Sequence, residues 1–316
     1  LSRATASKSP ARETLAPGAV TSRWLRFSAW ASFALNTLII ATGGAVRLTG
    51  SGLGCPEWPL CAPGSLVPTQ ELTYHSLIEF GNRTISGPLL IAGLLVVIFS
   101  WRIRAERRDL FSLSCVILGL VALQAFVGGV IVWMHLNANL VAFHYVVSLV
   151  LVCLTAAYLA RMNEARGKRV SVVPKPFGIA THVSTLVMAV TVLFGVITTA
   201  SGPHSGDATI QRDGVDATFM SHVHSWPGYA ALACTVALVV WAAAKKLRPL
   251  PWLVTLLAVL VVQILVGVYQ AREGLPPFAV GVHMVLATLT TATMTVAVLR
   301  LKRPVAEVEA ATATAK

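Results

Sequence analysis

Eight runs of apolar residues, near 27–47, 76–100, 110–133, 140–160, 178–200, 218–243, 251–271 and 279–299, dominate this chain. About twenty helical residues match the thickness of a bilayer's hydrocarbon core. Inside that core no water completes a backbone hydrogen bond, so each run must be a helix that satisfies itself. Composition agrees. Charged residues are 12% of the chain and mean hydropathy is +0.72, whereas a soluble domain carries about twice that charge. The expected fold is an all-α integral membrane protein with eight transmembrane helices.

The net charge of +12 suggests nucleic acid only until its distribution is read. With an even number of spans both termini lie on one side. The termini and the loops at 101–109, 161–177 and 244–250 hold 21 of the 25 Lys and Arg residues. That is the positive-inside pattern, so both termini are expected in the cytoplasm and no nucleic-acid partner is expected. Residues 1–23, polar and rich in Ser, Pro, Ala and Arg, are expected to form a disordered cytoplasmic tail; 301–316 is a second cytoplasmic tail, expected to be disordered over Val305–Lys316. No small-residue cleavage site follows the first apolar run, which is expected to stay as an anchor.

Order within the chain is set by a repeat. Arg47-Leu48-Thr49-Gly50-Ser51-Gly52 after the first span is echoed by Ile197-Thr198-Thr199-Ala200-Ser201-Gly202 after the fifth. Gln124 precedes His144 by 20 residues and Gln263 precedes His283 by 20, with Gly128 and Gly267 at matching places. These echoes predict two pseudo-symmetric four-helix bundles, 24–160 and 178–300, joined by a cytoplasmic linker at 161–177.

With the termini inside, the even-numbered spans begin at the outer face. Asn82, His144, His224 and His283 then share one depth, a turn or two inside that start. Imidazole in an apolar helix is costly without a partner, and haem iron suits paired histidines on facing helices. His224 and His283 make a complete pair. His222 is a rival on another face of the same helix, and the repeat alignment favours His224. His75, His135, His182 and His204 read as solvated or structural.

Glu79, one turn before Asn82, either pairs with Arg83 or handles protons and orients a substrate beside a reactive centre. Arg47 and Arg83 could meet haem propionates or reach lipid headgroups. Cys55 and Cys61, in the first outer loop, suggest a disulfide, with a redox-active pair as the alternative. Cys115, Cys153 and Cys234 fall within spans and read as packing. There is no Cys-x-x-Cys-His for covalent haem, no Walker loop and no dinucleotide fingerprint.

The stretch from Gly43-Gly44 through Arg47-Leu48-Thr49-Gly50-Ser51-Gly52 to Cys55-Pro56-Glu57-Trp58-Pro59-Leu60-Cys61 resembles the first-loop signature of the haem A synthases. The resemblance in spans, halves and histidines extends over roughly 25–300. It implies a plasma-membrane enzyme that oxidises a porphyrin methyl group of haem O to formyl. The haem A so formed serves aa3-type terminal oxidases. It further implies a haem b held by His224 and His283, and haem O in the N-terminal half with His144 on its iron and Glu79 near its reactive edge. The cysteines would form the family's outer-loop disulfide. Implied partners are the farnesyltransferase that makes haem O, oxidase assembly factors, an electron donor, the lipid bilayer and further copies of the chain. Two departures stand out: Asn82 replaces histidine in the usual Glu-x-x-His-Arg, and Ser225 follows His224 where arginine is common. A diheme b-type electron-transfer cytochrome would also want paired histidines, but ordinarily four good ligands. A haem transporter would want access from both faces, whereas these ligands cluster near one.

Overall fold

The computed structural model describes residues 21–68, 73–202, 204, 206–207 and 216–314. Eight helices are long and apolar enough to cross a membrane. They are α1 (Arg23–Leu48), α2 (Tyr74–Arg102), α3 (Arg108–Trp133), α4 (Ala138–Met162), α5 (Lys175–Ser201), α6 (Ala217–Ala244), α7 (Leu250–Arg272) and α8 (Pro277–Leu299). The chain is an all-α membrane protein. At four helix starts a polar side chain finishes the end. Ser22 accepts from the Leu25 amide at 3.1 Å, Thr73 and Ser76 form a capping box, and Asn137 and Asp216 cap α4 and α6. These side chains take up amide donors that the first turn leaves unpaired.

Neighbours in sequence are neighbours in space. In the first four helices each packs on the next and α4 closes against α1; in the last four, α8 closes against α5. One hydrophobic cluster centres on Leu110, Leu151 and Tyr158, and another on Phe177, Leu253 and Leu256. A third lies on the seam between the halves, where α4 and α8 meet through Val152, Ala156, Ala160, Ala292 and Val296. Small side chains suit this place, since in lipid close packing takes over from the hydrophobic effect as the driving force.

The arginine-rich end departs from expectation. The linker and the segment after α8 pair as an antiparallel ribbon, β1 (Arg169–Ser171) with β2 (Lys302–Pro304), and α9 (Val305–Thr314) follows. Val305–Thr314 is thus helical, against the disorder read for Val305–Lys316 from its Ala, Thr and Glu content; residues 1–20 and 315–316 lie outside the described residues. The cause is tertiary. The Val305 amide donates to the Lys168 carbonyl, and the Ala165 amide to Glu307 Oε1 at 2.7 Å. Beneath the ribbon lies Glu164, 4% exposed. Its carboxylate accepts from Arg169 at 3.3 Å, from Arg248 at 2.9 Å and from Arg300, while Arg107 donates to its backbone carbonyl. One carboxylate thereby ties α4, the linker, the α6–α7 turn and the end of α8.

Removing one side of a buried charge cluster costs about 3–5 kcal/mol, whereas exposed pairs give about 0–1 kcal/mol. Glu164→Ala should therefore lower the thermal unfolding temperature in detergent sharply. Arg303→Ala, which removes a looser 3.6 Å contact to Glu307, should barely move it.

Candidate functional site

At the opposite end, the loop after α1 is drawn over the first four helices by three devices. A disulfide joins Cys55 to Cys61, with Cα atoms 4.3 Å apart. The indole of Trp58 lies flat on α3: a Cβ on Gly129 would come within 2.3 Å of it, and Phe126 and Trp133 meet the same ring edge-on. The third device is Glu79 with Arg83. Glu79 is 4% exposed; its Oε2 accepts from the Cys55 amide at 2.7 Å and its Oε1 from Arg83 Nε at 3.1 Å and Nη2 at 2.5 Å. Arg83 also donates to the carbonyls of Glu57 at 2.7 Å, Leu60 at 2.9 Å and Cys55 at 2.8 Å. A guanidinium has five N–H donors, and here all of them are engaged. Arg83 is therefore committed to the loop, and meeting a propionate would mean giving up loop carbonyls.

Below the loop, four stations follow one rule: the side chain on an even-numbered helix rests on a glycine of the helix before it. Cβ atoms built on the glycines would lie 3.7 Å from Asn82 Oδ1 at Gly43 and 3.7 Å from His144 Cε1 at Gly128. They would lie 2.8 Å from His224 Cε1 at Gly195 and 3.0 Å from His283 Cε1 at Gly267. At Gly195 any larger residue would displace the ring, and at Gly267 the ring would have to give by a few tenths of an ångström, so both glycines cradle the imidazoles.

The rings of His224 and His283 face each other with centroids 6.1 Å apart and planes at 82°. An iron bound between two imidazoles, at about 2 Å from each nitrogen and roughly 1 Å more to each ring centre, needs centroids roughly 6 Å apart. The spacing fits. The other nitrogen fits as well: His224 Nδ1 is bonded to the Thr191 carbonyl at 2.9 Å, which leaves Nε2 as the ligating atom. His283 Nδ1 is turned toward the Gln263 backbone but lies outside ordinary hydrogen-bond geometry. Thr191 and Gln263 each stand four residues before a cradling glycine, so one turn of helix supplies both the seat and the anchor. On α4, Gln124 Nε2 donates to the His144 carbonyl and to Ser148 Oγ, both at 2.7 Å, and His144 Nδ1 is buried with no hydrogen-bond partner.

The family model for cytochrome oxidase assembly proteins matches residues 26–212, more than half the chain. The chain belongs to this family. Its relatives include a heme A synthase of Staphylococcus saprophyticus subsp. saprophyticus, 34% identical over 171 residues, or 52% of this chain and 56% of the relative. A heme A synthase of Lysinibacillus sphaericus is 33% identical over 129 residues, 40% of this chain and 41% of the relative. One from Bacillus cereus is 36% identical over 130 residues, again 40% and 41%. The matched stretches thus span about half of these relatives or less.

The remaining sequence candidates fall elsewhere. Arg47 reaches across the seam to the Thr199 carbonyl of α5. His222 is exposed and bonded to the Thr218 carbonyl of its own helix at 2.8 Å. His75 contacts Ser51 Oγ at 3.0 Å and His204 the Leu275 carbonyl at 3.0 Å; His135 lies in the turn after α3, and His182 is exposed. Sequence alone marks Gly43-Gly44 and Gly128-Gly129 as places of close approach for helices or a flat macrocycle, but not the loop's grip on Arg83 or the seat at Gly195. Its signal is a glycine toward the C-terminal end of every odd-numbered span.

Overpacking a close contact costs about 1–3 kcal/mol. Gly129→Ala should lower stability by that amount by displacing Trp58. In a Trp58→Ala background the same change should be nearly neutral, which a double-mutant cycle of thermal unfolding would measure. Lysine cannot replace the five-donor fork of Arg83. Arg83→Lys should therefore make the Cys55–Cys61 bond react with external reductant roughly tenfold faster or more, as loss of buried hydrogen bonds implies. Maleimide labelling after a timed reduction reads this out.

Proposed function

We propose that the chain oxidises a porphyrin methyl group of haem O to formyl, yielding haem A for aa3-type terminal oxidases. Membership of the family, and the heme A synthase names of its relatives, support this reading. The carrying observation is the facing pair His224–His283 at 6.1 Å, which offers a ready seat for a resident haem b. In this reading the second half, 178–300, holds that haem, and the first half, 24–160, receives haem O with His144 on its iron. Haem iron supplies the oxidising and electron-carrying chemistry when bound.

The protein's own residues bind, orient and exclude. Gly128, Gly195 and Gly267 let the helices close on imidazoles and a flat macrocycle. Gln124 fixes the α4 turn that carries His144. Both carboxylate oxygens of Glu79 are already hydrogen-bonded, so Glu79 acts by holding the loop, and through it the edge of the substrate. Trp58 and the disulfide keep that loop shut over the N-terminal half, which excludes water from the reacting edge. Arg47, on the seam, is placed to meet a propionate from either half. The arginine-rich end faces the cytoplasm of the cell membrane, the haem sites lie toward the outer leaflet, and the halves relate by an axis near the membrane normal. The farnesyltransferase that makes haem O, oxidase assembly factors and further copies of this chain are the proposed partners.

Haem extraction and chromatography test the reading. Cells supplied with haem O and expressing the chain should accumulate haem A. His144→Ala and Glu79→Ala should abolish it while the b-haem spectrum remains. A diheme electron-transfer cytochrome would make none in any variant. The purified protein should show a six-coordinate low-spin haem that His224→Ala or His283→Ala abolishes or makes high-spin, and His222→Ala should leave it nearly unchanged. A low-spin spectrum unaltered in both variants would remove the pair from the site.

A further inference from the structure

The two halves differ at one station. Where the second half has His224, the first has Asn82, and its side chain is not idle. The Thr42 hydroxyl, on α1, has three acceptors in reach: Asn82 Oδ1 at 2.8 Å, and the carbonyls of Leu38 and Ile39 at 3.3 Å each. The short contact takes the proton. Among the described residues this hydroxyl is the only hydrogen-bond partner of the Asn82 side chain. Oδ1 also lies against α1 at Gly43. The amide oxygen is thus turned toward α1, and the NH2 group is turned the other way. In the repeat, Asn82 stands to His144 as His224 stands to His283. By that correspondence, a ligand on an iron held by His144 would meet the Asn82 NH2 group, an N–H donor with no lone pair to offer the metal.

An amide NH2 cannot ligate iron, but it can donate to a ligand that carries negative charge. Resting on the proposed haem O site at His144, we infer that Asn82 is a hydrogen-bond donor to small anionic or polarised ligands on the open face of that iron. Thr42 is the positioning residue that holds the amide in the donor orientation. The station is then specialised: the second half binds its iron from both sides and refuses external ligands, while the first half keeps one face open and supplies the proton donor that a ligand there needs. Asn82 would be a specificity-determining residue for what the iron accepts.

Azide on the oxidised holoprotein and carbon monoxide on the reduced one are the probes, read by optical titration and by the infrared stretch of bound carbon monoxide. One of the two haems should bind both. Asn82→Leu should weaken azide about tenfold, the effect of losing one charge-assisted hydrogen bond, and move the carbon monoxide stretch to higher wavenumber. Thr42→Val should shift both readouts part-way, since the amide is then free to turn. Asn82→His should abolish azide binding and give a second low-spin haem. Unchanged azide affinity and stretch in Asn82→Leu would overturn the donor role while leaving the haem O site standing. If His144→Ala leaves the ligand-binding haem in place, the site itself is misassigned and the inference falls with it.

Discussion

In hydrocarbon a polar group has no water to turn to, and this constraint runs through the whole chain. It makes every span a helix. It explains why hydroxyls such as those of Thr181, Thr185, Thr191 and Thr235 fold back onto carbonyls of their own helices. It also explains why ionisable groups are gathered at the two ends and held there by several partners each. Among the described residues Glu79 and Glu164 are the two buried carboxylates, and each is satisfied by arginine. Neither is a simple pair. At one end a single arginine spreads its donors over a loop; at the other a single carboxylate gathers three arginines.

These ends also join the halves. The seam between α4 and α8 is apolar and small-chained, and the Tyr145 hydroxyl reaches across it to the Met284 carbonyl at 3.4 Å. Near the loop, Arg47 crosses to α5 and the Gly52 amide donates to the Gly206 carbonyl at 2.7 Å. Near the ribbon, Glu164 does the same work. The halves are therefore joined near both ends, and α4 packs closely on α8 between them. Such a frame can hold imidazoles at a fixed depth without any ligand of its own.

Much of this was legible in the sequence because membrane helices leave a long, simple signal. All eight spans were. The preference for His224 over His222 as an iron ligand came from the repeat and belongs to the proposal. The Cys55–Cys61 link was legible from compartment and spacing. Residues 301–314 were not, because nothing local stabilises β2 and α9; their partners Lys168 and Ala165 lie more than a hundred residues earlier. Arg83 was half legible. Its Glu79 partner follows from helical spacing, but the three loop carbonyls depend on a fold-back that no periodicity encodes. Gly195 went unread because glycine is common in membrane helices, and only a neighbouring ring tells a seat from a spacer.

The Glu164 cluster carries a consequence for how such a chain is made. Arg107 and Arg169 emerge from the ribosome near Glu164, but Arg248 follows it by 84 residues and Arg300 by 136. The first four helices must therefore enter the bilayer and find one another while this carboxylate is only partly neutralised. The knot closes after α8 has been inserted and the ribbon strand β2 has been delivered to β1. Assembly of the halves is in this sense self-timed: the fastening that locks the first bundle to the second is carried by the second, and a chain arrested before α8 keeps its ribbon end loose.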